Sequence, residues 1–130
     1  MSNLRILFVE DNRMSSLISC SVLREVGYEV VEAYCADDAA GVIDRREPIA
    51  ALVTDINLGP GDDGFEVARR ARRAYPGLPV VFVSATEAAR FETEGVEHAE
   101  FVAKPFHPQR IMEALDRTLP RGVTRGLDRA

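Results

Sequence analysis

Four apolar runs in this 130-residue chain end in polar residues that could act together. "LRILFV" is followed by Glu10-Asp11, "IAALVTD" closes on Asp55, "LPVVFVSA" carries Ser84, and "EFVA" leads into Lys104. Lys104 is the only lysine; the other 15 cationic residues are arginine. Three carboxylates brought together repel one another, and burial raises that cost. A lysine offsets one charge, and a divalent ion offsets more. With oxygen ligands and no His or Cys in the set, the ion that fits is Mg²⁺, which binds through one or two carboxylates, keeps waters and accepts phosphate oxygens. Such a pocket suits phosphoryl transfer, with a carboxylate attacking in line while cations neutralise the equatorial oxygens. Lysine fits this role because a compact ammonium on a flexible stem reaches a phosphoryl oxygen without the steric demand of a guanidinium. Pro105 follows it and permits a cis peptide that would aim the side chain inward.

Each residue also has an ordinary explanation. Asp11 or Asn12 could cap a helix, Asp55 could open a turn, Ser84 or Thr86 could cap the next helix, and Lys104 could be a solvated charge. Taken together these are less economical, because four separate strands would end in complementary groups by chance.

The elements needed to gather them are legible. Leu4–Val9, Tyr28–Tyr34, Ile49–Asp55, Leu78–Ala85 and Ala99–Ala103 read as strands. Helical patterns over Arg13–Val26, Asp37–Glu47, Phe65–Tyr75, Thr86–Gly95 and His107–Leu119 alternate with them. In the first helix, roughly 100° per residue places Ile18, Val22 and Val26 on a core face flanked by Met14 and Leu23, with Leu17 outside. Solid apolar strands are buried on both faces, so the sheet should be parallel. Right-handed crossovers then give an α/β, doubly wound five-stranded sheet with helices on both faces. In such sheets ligands bind beyond the carboxyl ends of the strands.

The composition is that of one domain: 46% hydrophobic and 28% charged residues, with a net charge of −5. The acidic balance argues against an autonomous nucleic-acid binder. The cluster "RRARR" (Arg69–Arg73) reads as a solvated helix face, with Val67, Ala71 and Ala74 turned inward. Cys20 and Cys35 lack metal spacing and read as two buried, reduced thiols of a cytoplasmic protein. No signal peptide or membrane span is expected. Residues 1–120 read as the domain and 121–130 as a short tail.

The strings "ILFVEDN", "ALVTDINL", "PVVFVSA" and "FVAKPF" resemble those of the receiver domain of bacterial two-component response regulators, over roughly residues 4–119. The resemblance implies the flavodoxin-like strand order 2-1-3-4-5 and a phosphoacceptor switch that catalyses only its own phosphorylation and dephosphorylation. It implies Asp55 as phosphoacceptor, and Asp11, Asp55 and the Asn57 carbonyl as Mg²⁺ ligands. Glu10 would be an outer acid acting through water. Ser84 would bond the phosphoryl group and Lys104 would be its charge partner. Phe101, with Ser84, would form the switch, and Asn57 and Thr86 occupy positions that tune dephosphorylation. The donor would be a histidine kinase or a histidine phosphotransfer protein, docking near Met14, Leu17, Pro105 and Phe106, and a downstream protein would read the switched surface. The sequence departs from the family at "GPGDDG", where Gly59-Pro60 and Gly64 make the loop about one residue longer. The resemblance is to a stand-alone receiver, with no output domain expected.

Two other readings share these residues. Haloacid-dehalogenase-type phosphatases also use an Asp, a Ser/Thr, a Lys and Mg²⁺. However, their second acidic pair follows the lysine, and their general-acid Asp would stand where Asn57 is. A phosphorylation-independent pseudo-receiver would keep the fold as a binding module, and the intact polar set argues against it.

Overall fold

The computed structural model describes residues 4–59 and 63–119. Five strands alternate with five helices: β1 (Arg5–Val9), α1 (Arg13–Glu25), β2 (Glu29–Ala33), α2 (Ala36–Asp44), β3 (Ala51–Asp55), α3 (Gly64–Ala74), β4 (Val80–Ser84), α4 (Ala88–Glu94), β5 (Glu100–Ala103) and α5 (Pro108–Thr118). The strands form one sheet in the order β2-β1-β3-β4-β5, and every neighbouring pair is parallel. This is the expected doubly wound α/β fold. The tail expected over 121–130 lies outside the described residues.

Strand composition explains the layering. All five residues of β3 and all five of β4 are buried, so these central strands must be apolar on both faces. Alternate side chains feed two cores. Leu7, Val9, Leu52, Val80 and Phe82 pack with α2 and α3 on one side. Ile6, Phe8, Val53, Val81 and Val83 pack with Cys20 and Leu23 of α1 and Ile111 and Leu115 of α5 on the other. β2 is an edge strand and keeps a polar outer set, Glu29 and Glu32.

Capping fixes where helices begin. Asn12 accepts from the Ser15 amide, Cys35 Sγ from the Asp38 amide, Asp63 from the Glu66 amide, and His107 Nδ1 from the Gln109 amide. α1 ends in a Schellman motif: Gly27, at φ 105°, donates to Arg24 while Tyr28 donates to Leu23.

Three expectations fail here. The buried residues of α1 are Ser16, Ser19, Cys20 and Leu23, spaced i, i+3, i+4, i+7. Ile18 is therefore not a core residue; it is 53% exposed, with Met14 at 66% and Leu17 at 55%. Ser16, Ser19 and Cys20 let the helix lie close to the sheet beside Leu23, while Met14, Leu17 and Ile18 face out. Cys35 is not buried but half-buried at the start of α2, where its sulfur caps the helix. Neither Ser84 nor Thr86 caps α4; Glu87 stands at that position and makes no side-chain capping bond.

Candidate functional site

The carboxyl ends of β1, β3, β4 and β5 meet at one edge of the sheet, as parallel register requires. Val9 pairs with Thr54, Asp55 with Val83, and Ser84 with Ala103. Glu10, Asp11 and Asp55 each offer a carboxylate oxygen, and these atoms lie within 4.8 Å of one another. Glu10 and Asp55 are buried, while Asp11 is exposed. Lys104 crosses from β5 and places Nζ 2.9 Å from Glu10 Oε1 and 3.0 Å from Asp55 Oδ1. The Lys104–Pro105 bond is cis, and the Lys104 amide donates to the Ser84 carbonyl at 3.0 Å.

Backbone and side-chain bonds hold this set in place. The Asn12 amide donates to Glu10 Oε2 at 3.1 Å. The buried Thr54 hydroxyl donates to the Asp55 carbonyl at 2.8 Å. The Gly64 amide donates to the Ile56 carbonyl at 2.7 Å, so the first turn of α3 is drawn against the peptide after Asp55. A Cβ at position 64 would stand 2.0 Å from the Asp55 carbonyl oxygen, a contact only glycine avoids. Ser84 is buried, and its oxygen accepts from the Thr86 amide at 3.2 Å. Asn57 is exposed, two residues beyond Asp55.

The electrostatics follow from crowding. Burial, then the bond and the charge of Glu10, push the Asp55 carboxyl up to about 7, against the pull of Lys104. Burial also opposes ionisation of Glu10, but its bonds to Asp55, Lys104 and the Asn12 amide outweigh that and hold it below the usual range. Burial likewise works against the Lys104 ammonium, yet Glu10 and Asp55 hold its pKa above the ordinary value. With all groups ionised, three carboxylates face one ammonium, so the pocket favours either a proton or a further cation. The donors are oxygens only, which fits a hard divalent ion such as Mg²⁺.

The family model described as the response regulator receiver domain matches residues 6–116. The chain belongs to this family. It is 31% identical over 119 residues to the response regulator receiver protein CpdR of Brucella abortus, covering 88% of this chain and 96% of CpdR. It is 29% identical over 113 residues to YbdJ of Bacillus subtilis, an uncharacterized transcriptional regulatory protein. That match covers 86% of this chain, which spans about half (49%) of the length of YbdJ. A crystal structure of a response regulator receiver protein from Sinorhizobium medicae superposes with a TM-score of 0.86 at 28% identity, over 89% of this chain and 94% of that one.

The remaining expected residues lie around this receiver pocket. Phe101, half-buried on β5, stands opposite Phe82 and stacks at 5.4 Å on Phe91 of α4. Met14 and Leu17 project from α1. Pro105 and Phe106 line a groove of about 430 Å³ that runs from Lys104 to α1 and also takes in Ser15, Ile18 and Ala85. Ile18 was missed because helical phasing grouped it with Val22 and Val26. The series Ser16, Ser19, Cys20, Leu23 carried the correct phase, but a face with two serines does not read as core.

Proposed function

We propose that this receiver accepts a phosphoryl group onto Asp55 from a phosphohistidine donor in a two-component or phosphorelay system. Phosphorylation then alters the surface that a downstream protein reads. The observation that carries this reading is the bridge of Lys104 Nζ between Glu10 and Asp55, within a cluster of three carboxylates. An Asp55 carboxylate oxygen attacks phosphorus, an oxygen–phosphorus bond forms, and the phosphorus–nitrogen bond of the donor breaks, its electron pair returning to the imidazole. Lys104 pairs with the developing phosphoryl charge, and Ser84 donates its hydroxyl to a phosphoryl oxygen. Asp11, Asp55 and the Asn57 carbonyl would hold Mg²⁺, with Glu10 as the outer acid; the ion supplies charge neutralisation between carboxylate and phosphoryl oxygens.

The exposed Met14, Leu17 and Ile18, with the groove at Pro105 and Phe106, support docking of a histidine kinase or phosphotransfer protein beside the pocket. Three of the four arginines of α3 are engaged within the fold. Arg69 pairs with Glu66, Arg70 with Asp44, and Arg72 donates to the Leu78 and Glu97 carbonyls. The reading therefore assigns no direct nucleic-acid contact. It also places the protein in the cytoplasm, and no helix among the described residues is long and apolar enough to cross a membrane.

The test is labelling by acetyl phosphate and by a phosphorylated histidine donor. The parent should gain a Mg²⁺-dependent, acid-stable, hydroxylamine-labile label, and Asp55→Asn should lose it. Full labelling of that variant at another residue overturns the assignment. A parent that takes no label from either donor is a binding module only.

A further inference from the structure

α4 is the least anchored helix of the fold. It has seven residues, none buried, and no side-chain cap at its start. Phe91 ties it to the sheet, between Phe82 at 5.8 Å and Phe101 at 5.4 Å. A second tie runs the other way. Arg90 Nη2 stands 2.8 Å from Asp63 Oδ2, and the guanidinium lies over the Phe65 ring at 5.0 Å. Asp63 is the N-cap of α3, where its other carboxylate oxygen accepts from the Glu66 amide. It therefore closes the segment that leaves Asp55, and the neighbouring Gly64 is pinned to the Ile56 carbonyl. Burial disfavours the Asp63 anion, but the bond to Arg90 and the capped amides more than reverse this and hold its pKa low. This is also the stretch where "GPGDDG" departs from the family pattern by about one residue, and Asp63 is part of that stretch.

We propose that Arg90 and Asp63 form a latch that sets the position of α4 from the phosphoacceptor loop, in parallel with the route through Ser84 and Phe101. The latch is a property of the unphosphorylated protein; its use in switching rests on the function proposed above. Arg90 has three carboxylates within reach: Asp63, Glu87 at 3.7 Å and Glu94 at 3.0 Å. Glu87 and Glu94 travel with α4 itself, so the guanidinium can exchange Asp63 for partners on its own helix when the distance to Asp63 changes. Among these partners only Asp63 joins the helix to the Asp55 loop.

The experiment is amide exchange of residues 88–95 in the phosphate-free protein, for the parent, Asp63→Asn, Arg90→Gln and the double variant. Asparagine still caps a helix, so Asp63→Asn keeps α3 while removing the charge. Exchange in α4 should rise about three- to fivefold in Asp63→Asn, the scale of a half-exposed ion pair. Arg90→Gln should exceed that, because it also loses Glu94. The double variant should match Arg90→Gln alone, since the interaction is already gone. Unchanged α4 exchange in Asp63→Asn, or effects that multiply independently in the double variant, overturns the latch. Acetyl phosphate labelling of Asp63→Asn should stay within twofold of the parent. Loss of labelling in the parent itself would sink the proposed function and leave the exchange result to decide the latch.

Discussion

α1 and α4 flank the same pocket and are built on opposite plans. α1 has thirteen residues, an Asn12 cap at its start, a Schellman motif at its end and a face of small residues buried against the sheet. Ser16 adds a hydroxyl bond of 3.0 Å to Glu32 on β2. Met14, Leu17 and Ile18 point to solvent, although burying them would stabilise the fold. α4 has none of these anchors and is held by the Phe91 ring, by Arg90 through Asp63, and by a bond of 3.3 Å from Arg69 to the Glu94 carbonyl. The difference separates two tasks. Under the proposed function, α1 would be a rigid surface for the donor to find repeatedly, and α4, which would report a chemical change, is drawn from the low-stability end of the fold.

The two glycines next to these regions give the sharpest way to break that comparison. A Cβ at Gly64 would meet the Asp55 carbonyl at 2.0 Å, whereas a Cβ at Gly95 would meet the Phe91 carbonyl at 2.6 Å. The Asp55 peptide is locked by its ladder and by Thr54, while the last turn of α4 can yield. Gly64→Ala should cost about 2–4 kcal/mol by thermal unfolding and weaken Mg²⁺ binding. Gly95→Ala should cost under about 1 kcal/mol and leave Mg²⁺ binding intact. Equal costs would mean that α4 is as firmly seated as the pocket.

The next effect belongs to the pocket alone. The folded protein holds the Asp55 proton to about 7, against an ordinary value of 3.8. Between these values the folded state binds more protons than the unfolded one, so stability falls as pH rises. Glu10, lowered from 4.5, contributes its opposite slope only at more acid pH. Metal-free protein should lose on the order of 2 kcal/mol between pH 5 and 7.5, read as a falling Tm. Mg²⁺ should restore that loss, most strongly at the higher pH, and Asp55→Asn should abolish the slope. A flat metal-free profile in the parent would show that burial does not govern Asp55.

A smaller effect tests the fixed surface. Leu17→Asp and Ile18→Asp should each slow transfer from the cognate phosphohistidine donor about tenfold, the usual scale for disrupting one apolar anchor, ~1.4 kcal/mol. Labelling by acetyl phosphate should stay within twofold. Equal loss with both donors would indicate damage to the fold, and no loss with either would remove α1 from the docking surface.

How much of this the sequence revealed depends on whether the signal was local. The strands were legible because double-sided burial demands uninterrupted apolar runs, and the pocket because parallel register brings strand ends together. Lys104 was legible as the sole lysine before a proline. The face of α1 was not, because close packing selects Ser16 and Ser19, which carry no hydropathy. The Cys35 cap was not, since sulfur seldom takes that role. Arg90 and Asp63 stand 27 residues apart, and no local pattern in two abundant charged types marks them as partners.

The finest distinction lies within the α4 side itself. Ser84 is buried, and its hydroxyl accepts from the Thr86 amide in the segment that leads into α4. A phosphoryl group on Asp55 adds roughly −1.5 to −2 charges and three strong acceptors. If the hydroxyl turns toward that group, the Thr86 bond is weakened and the space beside β5 changes for Phe101, whose ring already touches Phe91. Ser84→Ala removes both bonds at the cost of one oxygen, so stability should change by under about 1 kcal/mol. The variant should still accept phosphate on Asp55. The beryllofluoride-induced shifts of amides 86–106 should shrink by about half, with the remainder carried through Asp63 and Arg90. Combining Ser84→Ala with Asp63→Asn should then remove most of the response. Full shifts in Ser84→Ala would show that this hydroxyl carries no signal, and a response that vanishes in Ser84→Ala alone would leave the Asp63 side no share in switching.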